Sequence, residues 1–431
     1  MATSASNGML VGEAPIGMVT RRKAIFATVI GSGLEWFDFS GYAFFAAIIG
    51  KLFFPSGNET TSLLLALATF GVGFVMRPLG GIAFGIYADK VGRKRALSLA
   101  MLVMALGSAL IAFAPTYQSI GIAAPCLIVV ARMLQGLSAG GEMGGATAFL
   151  TEHAPANRRA FFSSWIQTSI GFAVVIGSIT GAVITSSMSV ESLTSWGWRI
   201  PFVVGMLVAP VGYYIRLKIE ETPEFTSEKR HASTPLRDVI REYPRGVVAS
   251  LLMVVLWTVC TYVILFYIPT YVVKYLHMPQ REGFISGIVS GGVLMVMAPI
   301  FGALSDRVGK RPVITIAALV ILAASYPLFS HLIKSPTFGT LLTFQVIFGV
   351  LIAAYTGPIL ALFTEMFPSR VRTTGLSLAY NGAVTIFGGF ASFIITWLAQ
   401  VTGDAESASY YIIFAAVLSL LGTRLMRPYQ S

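Results

Sequence analysis

The sequence predicts an all-α membrane protein, with twelve transmembrane helices in two six-helix pseudo-repeat halves. Three observations predict it. First, 55% of the 431 residues are hydrophobic and 11% are charged, whereas a soluble domain carries roughly 25% charge. Second, the chain contains twelve apolar runs of bilayer-crossing length. Third, GIYADKVGRKR (85–95) has an echo in GALSDRVGKRP (302–312), so that Asp89 and Asp306 stand 217 positions apart. TEHAPANRR (151–159) and TEMFPSRVR (364–372) repeat at an offset of 213. Many short repeats would give more copies, so two echoes near half the chain length read as one duplication.

Taken in order, residues 1–23 are a small, polar tail without the apolar core and cleavage site of a signal peptide. The first half, 24–217, holds runs near 24–50, 62–87, 96–114, 121–150, 161–187 and 198–217. The linker, 218–245, is rich in charge and contains Pro223 and Pro235, which suits a partly helical cytoplasmic connection. The second half, 246–427, holds runs near 246–273, 283–304, 312–333, 338–363, 374–400 and 408–426, and residues 428–431 form a short tail. Pro78, Pro269, Pro299 and Pro358 fall inside runs, where membrane bundles tolerate them.

The loops give the orientation. With the N-terminus inside, 23 of the 30 Lys and Arg residues fall on the cytoplasmic side and only Lys51, Lys274, Arg281 and Lys334 fall outside. This positive-inside bias places both termini in the cytoplasm. It also accounts for the net charge of +11, which therefore implies no nucleic-acid partner. Cys126 and Cys260 lie in or beside apolar runs and make neither a disulfide framework nor a metal site. The four histidines are scattered, and no phosphate loop or nucleophile triad is present. The sequence thus predicts no enzyme, no metal and no cofactor, with protons alone as a coupling ion.

Charges inside spans are costly and mark functional sites by default. The first half has Glu35 and Asp38 in span 1, Arg77 in span 2, and Arg132 and Glu142 in span 4, while the second half has none well inside a span. Glu35 and Asp38 are three apart and share a helix face. Asp38 lies about 14 residues into its span and Arg132 about 10 into the opposite-running one, so both reach mid-bilayer. They are expected to pair, either to couple protons to transport or to lock two helices structurally; a buried pair is weak evidence for stability alone. Gln135 is one turn from Arg132. Gln167, Tyr262, Tyr267 and Asn381 supply candidate hydrogen bonds around a central cavity, or equally ordinary helix contacts. Arg77 holds substrate, pairs with Glu142 or serves packing; the sequence does not choose. The glycines of GLSAGGEMGGA (136–146) read as a close helix-packing face.

The echoed loops have their own physics. Glycine permits the tight turn and close approach, which selects Gly85, Gly92, Gly302 and Gly309. Asp89 and Asp306 are placed to accept hydrogen bonds from another helix's N-terminus or from Arg159 or Arg372. With Arg93 and Lys310 they are candidate parts of a latch on the cytoplasmic face; basic residues there also anchor the loops inside.

These residues together resemble the major facilitator superfamily. GIYADKVGRKR and GALSDRVGKRP are similar to its signature loops and RMLQG (132–136) to its span-4 arginine motif. Within it, LEWFDF (34–39), FVMRPLGG (74–81), RMLQGLSAGGEMGG (132–145), WGWRIPF (196–202) and YIPTY (267–271) resemble the metabolite–proton symporters. TEMFPSRVRTTGLSLAYN (364–381) and IFGGF (386–390) resemble the bacterial citrate–proton symporters, while Asn381 and Ile166–Gln167 depart from their pattern. The resemblance implies two six-helix halves rocking about a central site, in a monomer of the bacterial inner membrane. It implies import of an organic acid anion, citrate or a related di- or tricarboxylate, with protons. Other cargoes of the subfamily (2-oxoglutarate, shikimate, proline or betaine) and an antiporter with the same fold are the alternatives. An ionised Asp38 would then occupy Arg132 until a proton frees it for a substrate carboxylate.

Overall fold

The computed structural model describes residues 32–33, 35–91, 93–140, 147, 150–151, 154–207, 210, 235–368 and 371–426. Among them there is no strand, and eight helices are long and apolar enough to cross a membrane. In the first half, α1 covers residues 35–44 and Ala46–Phe53, α2 Glu59–Tyr87, α3 Arg93–Ala112, α4 Ala123–Ala139, α5 Arg159–Ser187 and α6 Gly197–Leu207. In the second, α7 covers Pro244–Tyr275, α8 Gln280–Val308, α9 Lys310–Lys334, α10 Phe338–Thr364, α11 Arg372–Thr402 and α12 Ser407–Leu425. The helices follow the twelve apolar runs. Much of the linker and the two tails lie outside the described residues, apart from the short helix Pro235–Glu242.

Local chemistry explains several helix ends. Asn58 caps α2 by accepting from the backbone amides of Thr60 (2.7 Å) and Thr61 (3.4 Å), satisfying donors that lack intrahelical partners. Gly309, at φ +96°, ends α8 and allows the chain to turn directly into α9. Leu79, Ile82, Val296 and Ile316 project outward and are more than half exposed, giving the apolar exterior that a bilayer requires.

Lipid offers no hydrophobic drive to bring helices together, so small residues and close backbones must do it. A Cβ at Gly136 would overlap the Gly73 carbonyl and one at Gly140 the Arg77 carbonyl, so α4 lies directly on α2. The same device joins the halves. Along α5 and α8, a Cβ at Gly181 would stand 2.6 Å from the Phe284 ring, at Gly287 2.5 Å from Ser178, at Gly171 2.7 Å from the Gly291 carbonyl, and at Gly302 2.8 Å from the Ala160 carbonyl. This seam runs the length of both helices.

Two helices of the second half are not regular. α7 widens to a π-helix over Thr261–Tyr267 and α11 over Val384–Gly388. π segments are rare and concentrate at functional sites. Here they meet: a Cβ at Gly388 would stand 2.9 Å from the Tyr262 ring.

Candidate functional site

The centre of the bundle is aromatic. Trp36 and Phe39 of α1, Phe70 and Phe74 of α2, and Tyr262 and Phe266 of α7 contact one another with ring centroids 5.1–6.2 Å apart. Both buried arginines of the first half enter this cluster. The Arg132 guanidinium lies over Tyr42 (4.7 Å), Phe70 (4.8 Å) and Phe39 (5.1 Å). The Arg77 guanidinium lies over Phe74 (4.5 Å), Phe39 (4.8 Å) and Trp36 (5.5 Å). Each ring face is the negative lobe of a quadrupole, so it holds a cation where water cannot. Glu142, the proposed partner of Arg77, lies outside the described residues.

Arg132 is fully buried. Its Nη1 donates to Gln135 Oε1 at 2.7 Å and its Nη2 to the Phe70 carbonyl at 3.4 Å. The expected direct pair with Asp38 does not form: among the described residues no carboxylate oxygen lies within 4.0 Å of Arg132. Depth placed the two at one level, but the rotation of α4 points the guanidinium at its own Gln135 and at the rings of α1 and α2. Asp38 instead packs between α3 and α6. A Cβ at Gly205 would overlap its Oδ1, which has no hydrogen-bond partner among the described residues, while Ser108 of α3 accepts from Gln135 at 2.9 Å. Neither Ser108 nor Gly205 stood out in the sequence, where a Ser or Gly in an apolar run is unremarked. The neighbouring Gly107 was a usable signal, since a small pair marks close helix approach. Glu35 is half-buried about one turn before Asp38.

The other predicted polar residues separate. Tyr262 joins the aromatic centre, and its hydroxyl has no hydrogen-bond partner among the described residues. Gln167 is fully buried on α5, and neither amide atom has a hydrogen-bond partner among the described residues. Tyr267 turns away from the two arginines and bonds Thr396 of α11, packing edge-on to Tyr271. Asn381 donates to the Gly140 carbonyl at 3.1 Å. Gly140 is eight residues beyond Arg132, about 12 Å along α4, so Asn381 ties α11 to α4 rather than joining the Arg132 group.

The second of the repeated loops reaches across the two halves. In the second copy, Asp306 Oδ1 accepts from the Ala160 amide (3.0 Å) and Oδ2 from the Phe161 amide (2.9 Å). A carboxylate thus caps the N-terminus of α5 from across the two halves, where orphan amides and the helix dipole favour an anion. Lys310 bonds Glu365 at 2.8 Å and lies 4.0 Å from Asp306. Arg159 is exposed at the start of the capped helix, and Arg372 begins α11 on the same loop face. In the first copy, Gly85 is the counterpart of Gly302, and among the described residues nothing approaches within 4 Å of where its Cβ would be. Gly92 and the side chains of Asp89 and Arg93 lie outside the described residues.

A family model described as "Sugar (and other) transporter" matches residues 24–242 and 236–425. The chain belongs to that family of the major facilitator superfamily. It is 36% identical to a citrate–proton symporter of Klebsiella pneumoniae, covering 98% of this chain and 97% of that one. It is 32% identical to a proline/betaine transporter of Salmonella typhimurium, covering 93% and 82%. A crystal structure of a D-xylose–proton symporter superposes with a TM-score of 0.75 at 18% identity, covering 92% and 97%, and shares the fold. The chain is therefore a multi-pass membrane transporter and not an enzyme.

Proposed function

We propose that this transporter is a symporter that carries an organic acid anion inward with protons, and that the anion is citrate or a related di- or tricarboxylate. One observation carries the reading. Arg132 is a fully buried guanidinium with no carboxylate within 4.0 Å among the described residues, and its Nε has no hydrogen-bond partner. A mid-membrane cation with donors to spare is matched by an anionic cargo, since a planar guanidinium binds a carboxylate in a fork. The citrate–proton symporters among the relatives fit that chemistry.

In this reading a proton from outside neutralises Asp38, either directly or by way of Glu35. Arg132 then takes a substrate carboxylate, with Arg77, Gln135, Gln167 and Tyr262 around it. The Asp306 latch on the cytoplasmic face releases α5, the cargo leaves, and Asp38 gives up its proton inside. The protein works as a monomer in the bacterial inner membrane, with both termini cytoplasmic; the 23-to-4 distribution of Lys and Arg supports that orientation.

The test is Asp38→Asn in proteoliposomes. The variant is expected to exchange citrate across the membrane yet fail to accumulate it when driven by a pH gradient. Accumulation equal to wild type would remove Asp38 from the coupling role. A thermal-shift panel of citrate, tricarballylate, 2-oxoglutarate, shikimate and betaine tests the cargo; strongest stabilisation by a compound without net negative charge would overturn the anion reading.

A further inference from the structure

Pro78 leaves a gap in α2. Proline has no amide hydrogen, so the carbonyl four residues back, that of Phe74, has no backbone donor from the helix ladder. The regular pattern breaks at this point. The Met76 amide bonds the Gly73 carbonyl at 3.3 Å, three residues back instead of four, and the helix resumes with the Gly80 amide on the Met76 carbonyl at 2.9 Å. Phe74 is fully buried, and a bare carbonyl inside a membrane bundle is costly.

The missing donor comes from the other half of the chain. Thr385, in the π segment of α11, donates its hydroxyl to the Phe74 carbonyl at 2.8 Å. A helical threonine commonly turns its hydroxyl back to its own helix, as Thr356 does to the Ile352 carbonyl and Thr396 to that of Ser392. Thr385 reaches across to α2. The two helices are close enough for it: a Cβ at Gly389 would stand 2.6 Å from Phe74 Cβ, and one at Gly71 would overlap the Phe390 ring. Asn381, one turn before Thr385, donates to the Gly140 carbonyl at 3.1 Å. One face of α11 thus sets two side-chain donors on backbone carbonyls of the first half.

We propose that Thr385 is a lock on a proline hinge: its hydroxyl takes the place of the amide that Pro78 lacks, and the α2–α11 seam stays closed while that bond holds. Helices bend at proline because the ladder is already open there. With α11 in place, the Thr385 bond closes the ladder from outside and keeps the Met76–Pro78 break in its present geometry. When the seam parts, the Phe74 carbonyl loses its donor until water reaches it, and α2 is free to bend. Arg77 directly precedes Pro78, and its guanidinium lies over the Phe74 ring at 4.5 Å. The bend therefore moves a buried cation of the aromatic centre together with the gate. Thr385 is a positioning residue that acts through Phe74 and Pro78. The lock concerns the motion of the transporter and holds for any cargo.

The experiment is a double-mutant cycle read as a distance, without cargo. Spin labels stand at Ile86, near the end of α2, and at Thr373, at the start of α11, both exposed. They are measured in full-length protein in lipid nanodiscs, with Cys126→Ser to remove the one exposed native thiol among the described residues; Cys260 is buried. Thr385→Val keeps the branched shape and removes the hydroxyl. The ratio of long-distance to short-distance populations is expected to rise at least fivefold, since the closed state then holds an unpaired buried carbonyl. Thr385→Ser, which keeps the hydroxyl, should stay within twofold of the labelled parent. Pro78→Ala gives the Phe74 carbonyl its amide back, and in that background Thr385→Val should change the ratio less than twofold. A side chain that only packs would give the same shift with or without Pro78. Equal shifts in the two backgrounds overturn the lock, as does a Thr385→Val ratio within twofold of the parent or a Thr385→Ser ratio as high as that of Thr385→Val. If Pro78→Ala does not fold, the serine and valine variants decide by themselves.

Discussion

The Asp306 carboxylate and the backbone amide of Phe161 meet at 2.9 Å across the boundary between the two halves of the chain. With the Ala160 amide, both carboxylate oxygens are engaged on one helix end. Hydrogen bonds to charged groups are worth about 1.5–3 kcal/mol each, so this contact weighs heavily on whether the loop face stays closed. Asp306→Ala is expected to open it. Spin labels placed at Asn157 and Arg307, both exposed, should show a longer and broader distance distribution than in the otherwise unaltered protein. An unchanged distribution would count against a latch.

The neighbouring Lys310–Glu365 pair should matter less. Their side chains are 16% and 37% exposed, and part-exposed ion pairs contribute about 0–1 kcal/mol. A double-mutant cycle with Lys310→Met and Glu365→Gln, read by thermal unfolding in detergent, should give a coupling energy below about 1 kcal/mol that shrinks with salt.

Gly205 offers a test of the carboxylate's position without touching its charge. Gly205→Ala places a methyl group on Asp38 Oδ1 and forces the side chain or α6 aside, an overpacking that costs about 1–3 kcal/mol. Citrate accumulation should fall at least tenfold. Gly292→Ala, on α8 with nothing within 4 Å of the new methyl, is the matched control and should transport like wild type. Equal behaviour of the two variants would show that Asp38 does not need its present seat.

Arg132→Lys keeps a positive charge but not the planar fork. Lysine cannot bond Gln135 and the Phe70 carbonyl together while stacking on three rings. Citrate kcat/KM is expected to drop on the order of 10- to 100-fold, the value of one or two charged hydrogen bonds. Wild-type kinetics in this variant would mean that charge alone suffices.

Much of the fold was legible because membrane spans announce themselves. Apolar runs gave the helices, loop arginines the expected orientation, and the two Asp-containing echoes the duplication. Gly309 was readable too, since a direct turn between α8 and α9 needs a backbone that only glycine adopts easily. Depth along the bilayer was readable for Asp38 and Arg132, since rise per residue is fixed. Direction around the helix was not. Arg132 turned to Gln135 rather than Asp38, and Tyr267, five positions from Tyr262, reached Thr396 instead of the aromatic centre. Ser108 escaped because serine is common in membrane helices and identifies itself only through its partner on α4, Gln135.

Gly302 is pressed against the Ala160 carbonyl of α5, and one turn on Asp306 grips the amides at the same helix end. A rod wedged by its flank and clamped by its tip cannot slide a little at a time. The α5–α8 edge therefore lets go of both holds together or of neither, which makes its opening a step and not a drift.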